Sequence, residues 1–181
     1  MDELTGRRAA GAKDLERAGE ADAAVEIVEY DPLWLALFVF EQGRLAPLLD
    51  GAAIHHIGST AVRGLAAKPV IDMIALVPDI DAPIATLVEC AGYQFPSAYN
   101  ATLSHRRFLC YPAVSLRTHH LHLVDQPDEL DRRLQFRDRL RADPALARNY
   151  AALKRRLASR FPNDREAYTE AKSRFIAANS G

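Results

Sequence analysis

A chain of 181 residues is long enough for one domain with a substantial core and too short for two comfortable ones. The apolar fraction of 49% and the charged fraction of 26% are ordinary for a soluble globular protein, and a formal net charge of −1 excludes general attraction of the whole chain to a polyanion such as nucleic acid. Two cysteines without CxxC spacing argue against a disulfide framework, and no apolar run is long enough to span a bilayer, so we expect a cytoplasmic protein without membrane contact.

The first part of the chain predicts an extension followed by a helix. Residues 1–24 are rich in Ala, Arg, Glu and Asp and predict a flexible extension before one domain at residues 25–181. Residues 25–28 predict a short strand, and Asp31 and Pro32 favour the start of a helix that ends near residue 49. The predicted apolar face of this helix comprises Trp34, Leu37, Phe38, Leu45 and Leu48, widened by Leu33, Val39 and Phe40.

Residues 54–77 predict a short strand, a Gly-Ser turn that opens a brief helix, and a buried strand. Asp72 is the single interruption in the apolar run from Val70 to Val77. A lone carboxylate inside such a run must be paired, hydrogen-bonded or bound to a cation, because its desolvation is otherwise costly. Asp72 is therefore the first residue that we predict to be functional.

The remaining pattern predicts the rest of the sheet. Residues 84–91 predict a helix that ends at Gly92, and residues 93–95 predict the start of a strand. An irregular loop then leads to two predicted strands, at 106–111 and 118–124.

From Glu129 onward the apolar spacing becomes helical and predicts three helices, the second capped by Asp143 and the third by Asn163 or Asp164. The predicted fold is α+β, with a mixed sheet of four to five strands, flanking helices and a helical C-terminal part.

The Gly-Ser turn and the strand after it form a candidate phosphate and metal site. Backbone N–H groups at such a turn lack intrahelical partners and suit a phosphate, to which Gly58, Ser59 and Thr60 would contribute. Asp72, about a dozen residues later, can hold a divalent metal against phosphates bound at the turn, and Lys68 can offset their charge. The alternative is an ordinary capped turn beside a structural carboxylate.

Two histidines form a second candidate group. Because side chains alternate along a strand, His120 and His122 share one face of the strand predicted at 118–124. A pair of imidazoles can ligate a metal or act as a general base, although the His-x-His pattern is also common by chance. Among the many basic residues of the C-terminal helices, Arg137, Lys154 and Lys172 fall beside the inward apolar positions and are candidates for contact with an anionic ligand.

Several motifs together resemble the GrpB-like family, from about Val25 to Ala178. The residues that carry the resemblance are Tyr30-Asp31-Pro32-x-Trp34, His56-Ile57-Gly58-Ser59-Thr60-Ala61-Val62-x-Gly64-Leu65-x-x-Lys68-Pro69-x-Ile71-Asp72, Thr118-His119-His120-Leu121-His122-Leu123-Val124, Phe136-Arg137-Asp138-x-Leu140-Arg141 and Tyr168-x-x-x-Lys172.

That family is similar to the nucleotidyltransferase superfamily of the DNA polymerase β type. The resemblance implies that Gly58 and Ser59 hold nucleotide phosphates and that Asp72 is the first metal-binding acid. The second acid of that superfamily's motif falls at Ile74, which cannot bind metal. His120 or His122 matches the place of the third acid, and imidazole there favours a transition metal over Mg²⁺.

The resemblance and the residues together leave three functions open. The first is a nucleotidyltransferase-like enzyme that binds a nucleotide or related phosphorylated ligand with a divalent metal, Mg²⁺, Mn²⁺ or Zn²⁺. The second is a non-catalytic binding module for a nucleotide or a coenzyme A-related ligand, since family members also occur joined to dephospho-coenzyme A kinase. The third is a metal-dependent phosphoester hydrolase that uses Asp72, His120 and His122.

Overall fold

A computed structural model describes residues 25–180, apart from the side chains of residues 165 and 166. The predicted extension at residues 1–24 lies outside the described residues. The elements follow one another along the chain as α1 (Leu33–Leu45), β1 (Ile54–Ile57), β2 (Ile71–Leu76), α2 (Ile84–Ala91), α3 (Ser97–Asn100), β3 (Arg106–Pro112), β4 (Arg117–Val124), α4 (Pro127–Ala142), α5 (Pro144–Arg160) and α6 (Arg165–Ala177). Short 3-10 turns at Ala46–Leu49 and Ser59–Ala61 follow α1 and β1.

The strands of residues 25–180 form one mixed sheet in the order β1-β2-β4-β3. The central pair β2 and β4 is parallel, and both outer pairs are antiparallel. In the central pair, Asp72 lies beside His120 and Ile74 lies beside His122. The α+β prediction with a mixed sheet is confirmed, and the sheet has four strands.

The two faces of the sheet bury different clusters because side chains alternate along each strand. One face carries the main core, in which Met73 and Leu121 pack with residues of α1 and α2 such as Trp34 and Leu87. On the other face Ile74 packs in a small apolar cluster together with Leu130 and Leu134 of α4. Asp72 shares this second face with Ile74, since the two residues are two apart on β2.

Helix α1 buries a narrower face than the sequence predicted. The core contacts come from Trp34, Phe38, Glu41 and Leu45, which recur at helical spacing. The prediction that Leu37 belongs to this face is wrong, and so is its widening by Leu33, Val39 and Phe40, because all four residues are exposed. Helical geometry turns these residues away from the sheet, whereas the polar Glu41 lies inside.

Buried Glu41 is held by two partners. Arg44 forms a bidentate ion pair with the carboxylate at 2.7 and 2.9 Å, and the Tyr93 hydroxyl donates to Oε1 at 2.8 Å. These contacts fasten α1 to the chain that leads into β3, and they satisfy a charge that would otherwise be expensive to bury.

The predicted helix ends are largely confirmed. The Asp143 carboxylate accepts hydrogen bonds from the N–H groups of Ala145 and Leu146, and Asp164 caps α6 through Ala167. Gly92 ends α2 with a left-handed conformation.

Three local predictions need correction. Residues 25–28 and 93–95 form only isolated bridges, Val28 with Ala67 and Gln94 with Cys110. Each is a single pairing too short to extend the sheet. The stretch predicted as an irregular loop contains the short helix α3.

Candidate functional site

Asp72 and His120 meet across the two central parallel strands. Nδ1 of His120 lies 2.8 Å from Oδ1 of Asp72. The Asp72 side chain is 31% exposed and that of His120 is 16% exposed, so the pair lies at the surface end of an otherwise buried strand pair. Because a carboxylate only accepts hydrogen bonds, Nδ1 of His120 carries the proton.

The Gly-Ser turn packs directly against this carboxylate. Gly58 has a φ of 70°, in the left-handed region that favours glycine. A Cβ atom at this position would lie 2.4 Å from Oδ2 of Asp72, closer than any van der Waals contact. The site therefore requires glycine at residue 58 for two independent reasons, and the predicted proximity of Gly58 and Asp72 is confirmed in space.

Two buried imidazole nitrogens on this face have no hydrogen-bond partner among residues 25–180. They are Nε2 of His120 and Nδ1 of His122. Phe108 covers both rings, with centroid distances of 5.0 and 5.5 Å. Buried polar atoms without partners are rare in native proteins and point to a ligand, an ion or water.

Both histidines are neutral bases at neutral pH. Burial lowers the pKa of His120 against the opposing effect of the Asp72 carboxylate. Burial lowers the pKa of His122 further, and the nearby Arg133 and Arg106 add to this effect. With its proton on Nδ1, neutral His120 presents a lone pair at Nε2.

Asp72 remains ionised despite its surroundings. Burial acts to raise the pKa of Asp72, but the hydrogen bond from His120, the charges that His120 and His122 acquire in acid, and the charge of Lys172 lower it to about 2. A carboxylate with this pKa keeps its charge through the physiological range.

Lys154 and Lys172 reach this site from α5 and α6. Lys172 lies 4.3 Å from the ring centroid of Tyr168, and the charges of both lysines act on Asp72. Lys154 is 2% exposed, donates to the carbonyl oxygen of Ala66, and has a pKa lowered to about 7, chiefly by burial. The charges of both predicted lysines thus act on Asp72, and Lys154 is anchored to the backbone.

Lys68 and Ser59 are two further predicted site residues with an observed effect on their neighbours. The charge of Lys68 acts on His120 and helps to lower its pKa. Ser59 forms a hydrogen bond with the side chain of Tyr150, which partly offsets the rise in the Tyr150 pKa caused by burial. The Gly-Ser turn therefore contacts β2 through Gly58 and α5 through Ser59.

The sequence reasoning missed several residues of this site. Tyr150 and Tyr168 are not among the predicted site residues, although the Asp72 charge affects the pKa values of both. Arg106 and Arg133 act on His122. No spacing signal marks these residues, because they come from elements that meet only in the folded chain.

Thr60 and Arg137 both form hydrogen bonds with His56 of β1. The Thr60 hydroxyl is 3% exposed and bonds to Nε2 of His56 and to the carbonyl oxygen of Val70. Arg137 donates to the carbonyl oxygen of His56 at 3.0 Å and pairs with Asp138.

Arg137 lines a separate cleft of about 1160 Å³ beside the edge strand β1. The positively charged residues of this cleft are Arg63, Arg137, Arg141, Arg148 and Arg155. Its floor includes Leu65, Leu140 and Ala151.

The donor set does not fit a two-metal transferase site. Ile74, at the position of the second acid, is fully buried in the apolar cluster with α4. Within residues 25–180, no group of three or more His, Cys, Asp or Glu side chains is arranged to hold a metal ion. The predicted metal ligands Asp72, His120 and His122 do share one face, and a divalent metal there stays a prediction.

Comparison with known proteins agrees with the fold. The crystal structure of conserved protein GrpB from Enterococcus faecalis superimposes with a TM-score of 0.75 and 36% sequence identity, covering 86% of this chain and 94% of that one. The mixed sheet and helical C-terminal part therefore define the class of protein as an α+β fold of this type.

The sequence comparisons give the family. A family model described as GrpB protein matches residues 24–180, and the chain belongs to the GrpB family. A UPF0157 protein of Pseudomonas aeruginosa is 42% identical in a 163-residue alignment that covers 86% of this chain and 66% of that protein. UPF0157 protein YqkA of Bacillus subtilis is 38% identical over 84% of this chain and 45% of its own length. The chain thus spans less than two thirds of the length of these two relatives. Among residues 25–180, no helix is long and apolar enough to cross a membrane.

Proposed function

We propose that the protein binds a nucleotide or another phosphorylated small molecule on the Asp72 face of the sheet. The observation that supports this most is the contact of the Gly58 turn with the Asp72 and His120 pair, in surroundings that also contain lysines 154 and 172. Turn N–H groups and lysine ammonium groups are the donors that proteins use for phosphate.

The cations around the site outweigh its carboxylate. Asp72 is satisfied by the hydrogen bond from His120, and the charges of Lys172, Lys154 and Lys68 act within the same region. Burial is the main cause of the lowered pKa of Lys154, and the charge of Lys172 adds to it. An anionic ligand would relieve this repulsion between like charges.

Nε2 of His120 is a hydrogen-bond acceptor that the ligand can use. Asp72 orients the ring, and the Nε2 lone pair is buried without a partner among the described residues. A ligand hydroxyl that donates to Nε2 would satisfy this atom. The same geometry makes His120 a general base, in the way that a carboxylate orients a catalytic histidine.

Binding is favoured over two-metal nucleotidyl transfer because of Ile74. Two-metal transfer needs several anionic oxygens to neutralise the two ions, and a buried isoleucine supplies none. The proposed binding instead uses the protein's own cations.

Titration calorimetry with ADP and with inorganic pyrophosphate tests this proposal. We expect Lys172→Gln to weaken binding by about tenfold, equivalent to ~1.4 kcal/mol. Arg174→Gln is the matched control, since it removes one charge from an exposed position of the same helix. Absence of binding to the wild-type chain, or an equal loss in both variants, would overturn the proposal.

A second candidate is metal-dependent hydrolysis of a phosphoester. The two unpartnered nitrogens of His120 and His122 favour it, because a ligating histidine commonly donates its other N–H to a carboxylate as His120 does to Asp72. These donors suit a single transition-metal ion, which would act as a Lewis acid. The test is turnover of p-nitrophenyl phosphate with Mn²⁺ or Zn²⁺ and no acceptor, lost in His122→Ala. Turnover that survives this substitution contradicts it.

A further inference from the structure

Helix α1 presents a continuous apolar surface that no described residue covers. We define the outer face of α1 as five large side chains, Leu33, Leu35, Leu37, Val39 and Phe40, with exposed fractions of 64%, 58%, 46%, 55% and 72%. They lie within eight consecutive residues, from 33 to 40, that include no charged or polar side chain. Single exposed apolar residues are normal, but five on one helix are not.

The arrangement of this face suits another helix. At 100° per residue, Ala36 and Gly43 lie opposite the side that contacts the core and form the centre of the outer face. Phe40 stands beside them as the most exposed large side chain. A Cβ added at Gly43 would meet no atom of the described chain within 4 Å. Small residues between bulky ones let two helices approach closely, with ridges packed into grooves.

The size of the outer face matches half of a dimer interface. The exposed fractions correspond to roughly 500 Å² of apolar surface, at the upper end of what a monomer shows. Two such faces packed together, with the residues around them, reach the ~1,200 Å² at which stable interfaces begin. The face also needs no complementary charge, since the nearby Glu41 and Arg44 already pair with each other.

We propose that two copies of this chain pack through the outer faces of α1 about a two-fold axis, so that Phe40 of each copy lies over Ala36 and Gly43 of the other. An isologous contact requires one surface to be complementary to itself, and this face carries both bulky and small residues. The twenty-four residues that precede Val25 offer only three large apolar side chains, Met1, Leu4 and Leu15, which favours a second copy as the occupant. This proposal is independent of the proposed function.

The first experiment measures mass in solution by sedimentation velocity over a concentration series. We expect the wild-type chain to sediment at twice its mass of 20.0 kDa, and Phe40→Glu to sediment as a monomer. Leu116→Glu is the matched control, because Leu116 is 63% exposed but lies in the turn between β3 and β4. We expect this variant to remain a dimer. Circular dichroism checks that both variants are folded.

The second experiment locates the contact by cross-linking with a bismaleimide, because the proposal does not place residue 36 of one copy within disulfide distance of residue 36 of the other. Exposed Cys90 is first changed to Ser, and Ala36→Cys is then introduced at the centre of the outer face. We expect the bismaleimide to join two Ala36→Cys chains into a covalent dimer, whereas Leu116→Cys in the same background gives none.

Three results overturn the proposal. A wild-type chain that is monomeric throughout the concentration series is one, and a dimer that Phe40→Glu leaves intact is another. The third is flotation of a monomeric wild-type chain with vesicles of phosphatidylglycerol and phosphatidylcholine that Phe40→Glu abolishes. This last result would assign the outer face of α1 to a lipid surface.

Discussion

The Asp72 carboxylate accepts a hydrogen bond from Nδ1 of His120 across the parallel pair β2 and β4, at 2.8 Å. This contact sets the ring orientation and tautomer of His120, and it keeps the carboxylate ionised with a pKa of about 2. One strand pairing thus determines the charge of one residue and the proton position of its neighbour.

Substitution of Asp72 separates its hydrogen bond from its charge. Asp72→Ala leaves Nδ1 of His120 without an acceptor, and we expect the free energy of unfolding to fall by about 1–3 kcal/mol. Asp72→Asn retains an acceptor oxygen and should cost less. Urea unfolding of the two variants measures the difference. Equal losses would show that the hydrogen bond to His120 contributes nothing to stability.

Gly58 is predicted to be intolerant of even one methyl group. Gly58→Ala combines a φ of 70° with a Cβ position 2.4 Å from Oδ2 of Asp72, and we expect a loss of about 2–4 kcal/mol. Gly64→Ala is the control, since its φ is 79° but no described atom lies within 4 Å of the new Cβ. We expect this control to lose about 1 kcal/mol.

The two glycine variants are compared by thermal and urea unfolding. A loss at Gly58 no greater than the loss at Gly64 would mean that the turn moves away from Asp72 without cost. Binding of inorganic pyrophosphate to Gly58→Ala adds a functional readout, because displacement of the turn should weaken it.

Lys154 makes stability depend on pH. Its pKa of about 7 in the folded chain is below its ordinary value of 10.5, chiefly because of burial. Between these two values the unfolded chain holds a proton that the folded chain has released, so the free energy of unfolding rises with pH through this window. Below the folded pKa this contribution no longer changes with pH.

Lys154→Met removes the titrating group and retains most of the volume. Between about pH 7 and about pH 9, we expect the free energy of unfolding of the wild-type chain to rise by about 2 kcal/mol more than that of the variant. Urea unfolding at the two pH values measures it. Parallel pH profiles for the two proteins would contradict the lowered pKa of Lys154.

The sequence predicted the parts of this molecule that follow from local periodicity. Short-range patterns predicted the strands at 106–111 and 118–124 and the cap at Asp143, and the structure confirms them. The structure also shows the Gly-Ser turn and Asp72 close together in space. The position of Lys154 on a C-terminal helix was also predicted. The approach of Lys154 and Tyr150 to Asp72 was not predicted, because it depends on how α5 packs against α4 and α6.

Helix α1 shows the limit of hydrophobicity as a guide. Phe40 was predicted to be inside and Glu41 was not, yet Phe40 is 72% exposed and Glu41 is 3% exposed. Buried Glu41 is stabilised by Arg44 on the next turn and by Tyr93, fifty-two residues later in the sequence. A pairing over that distance leaves no periodic signal.

Tyr93 provides the last test, because its hydroxyl is the long-range donor to Glu41. Burial raises the pKa of Tyr93, so the hydroxyl stays protonated and donates at 2.8 Å. Tyr93→Phe leaves the carboxylate with Arg44 alone, and we expect the free energy of unfolding to fall by about 1–3 kcal/mol. Tyr30→Phe is the control, because it also removes one hydroxyl and keeps the ring that packs edge-on against Trp34 at 5.4 Å. We expect it to lower the free energy of unfolding by about 0.5 kcal/mol or less. Equal losses in urea unfolding would mean that Arg44 alone satisfies buried Glu41, and that α1 is held to the sheet by apolar contacts instead.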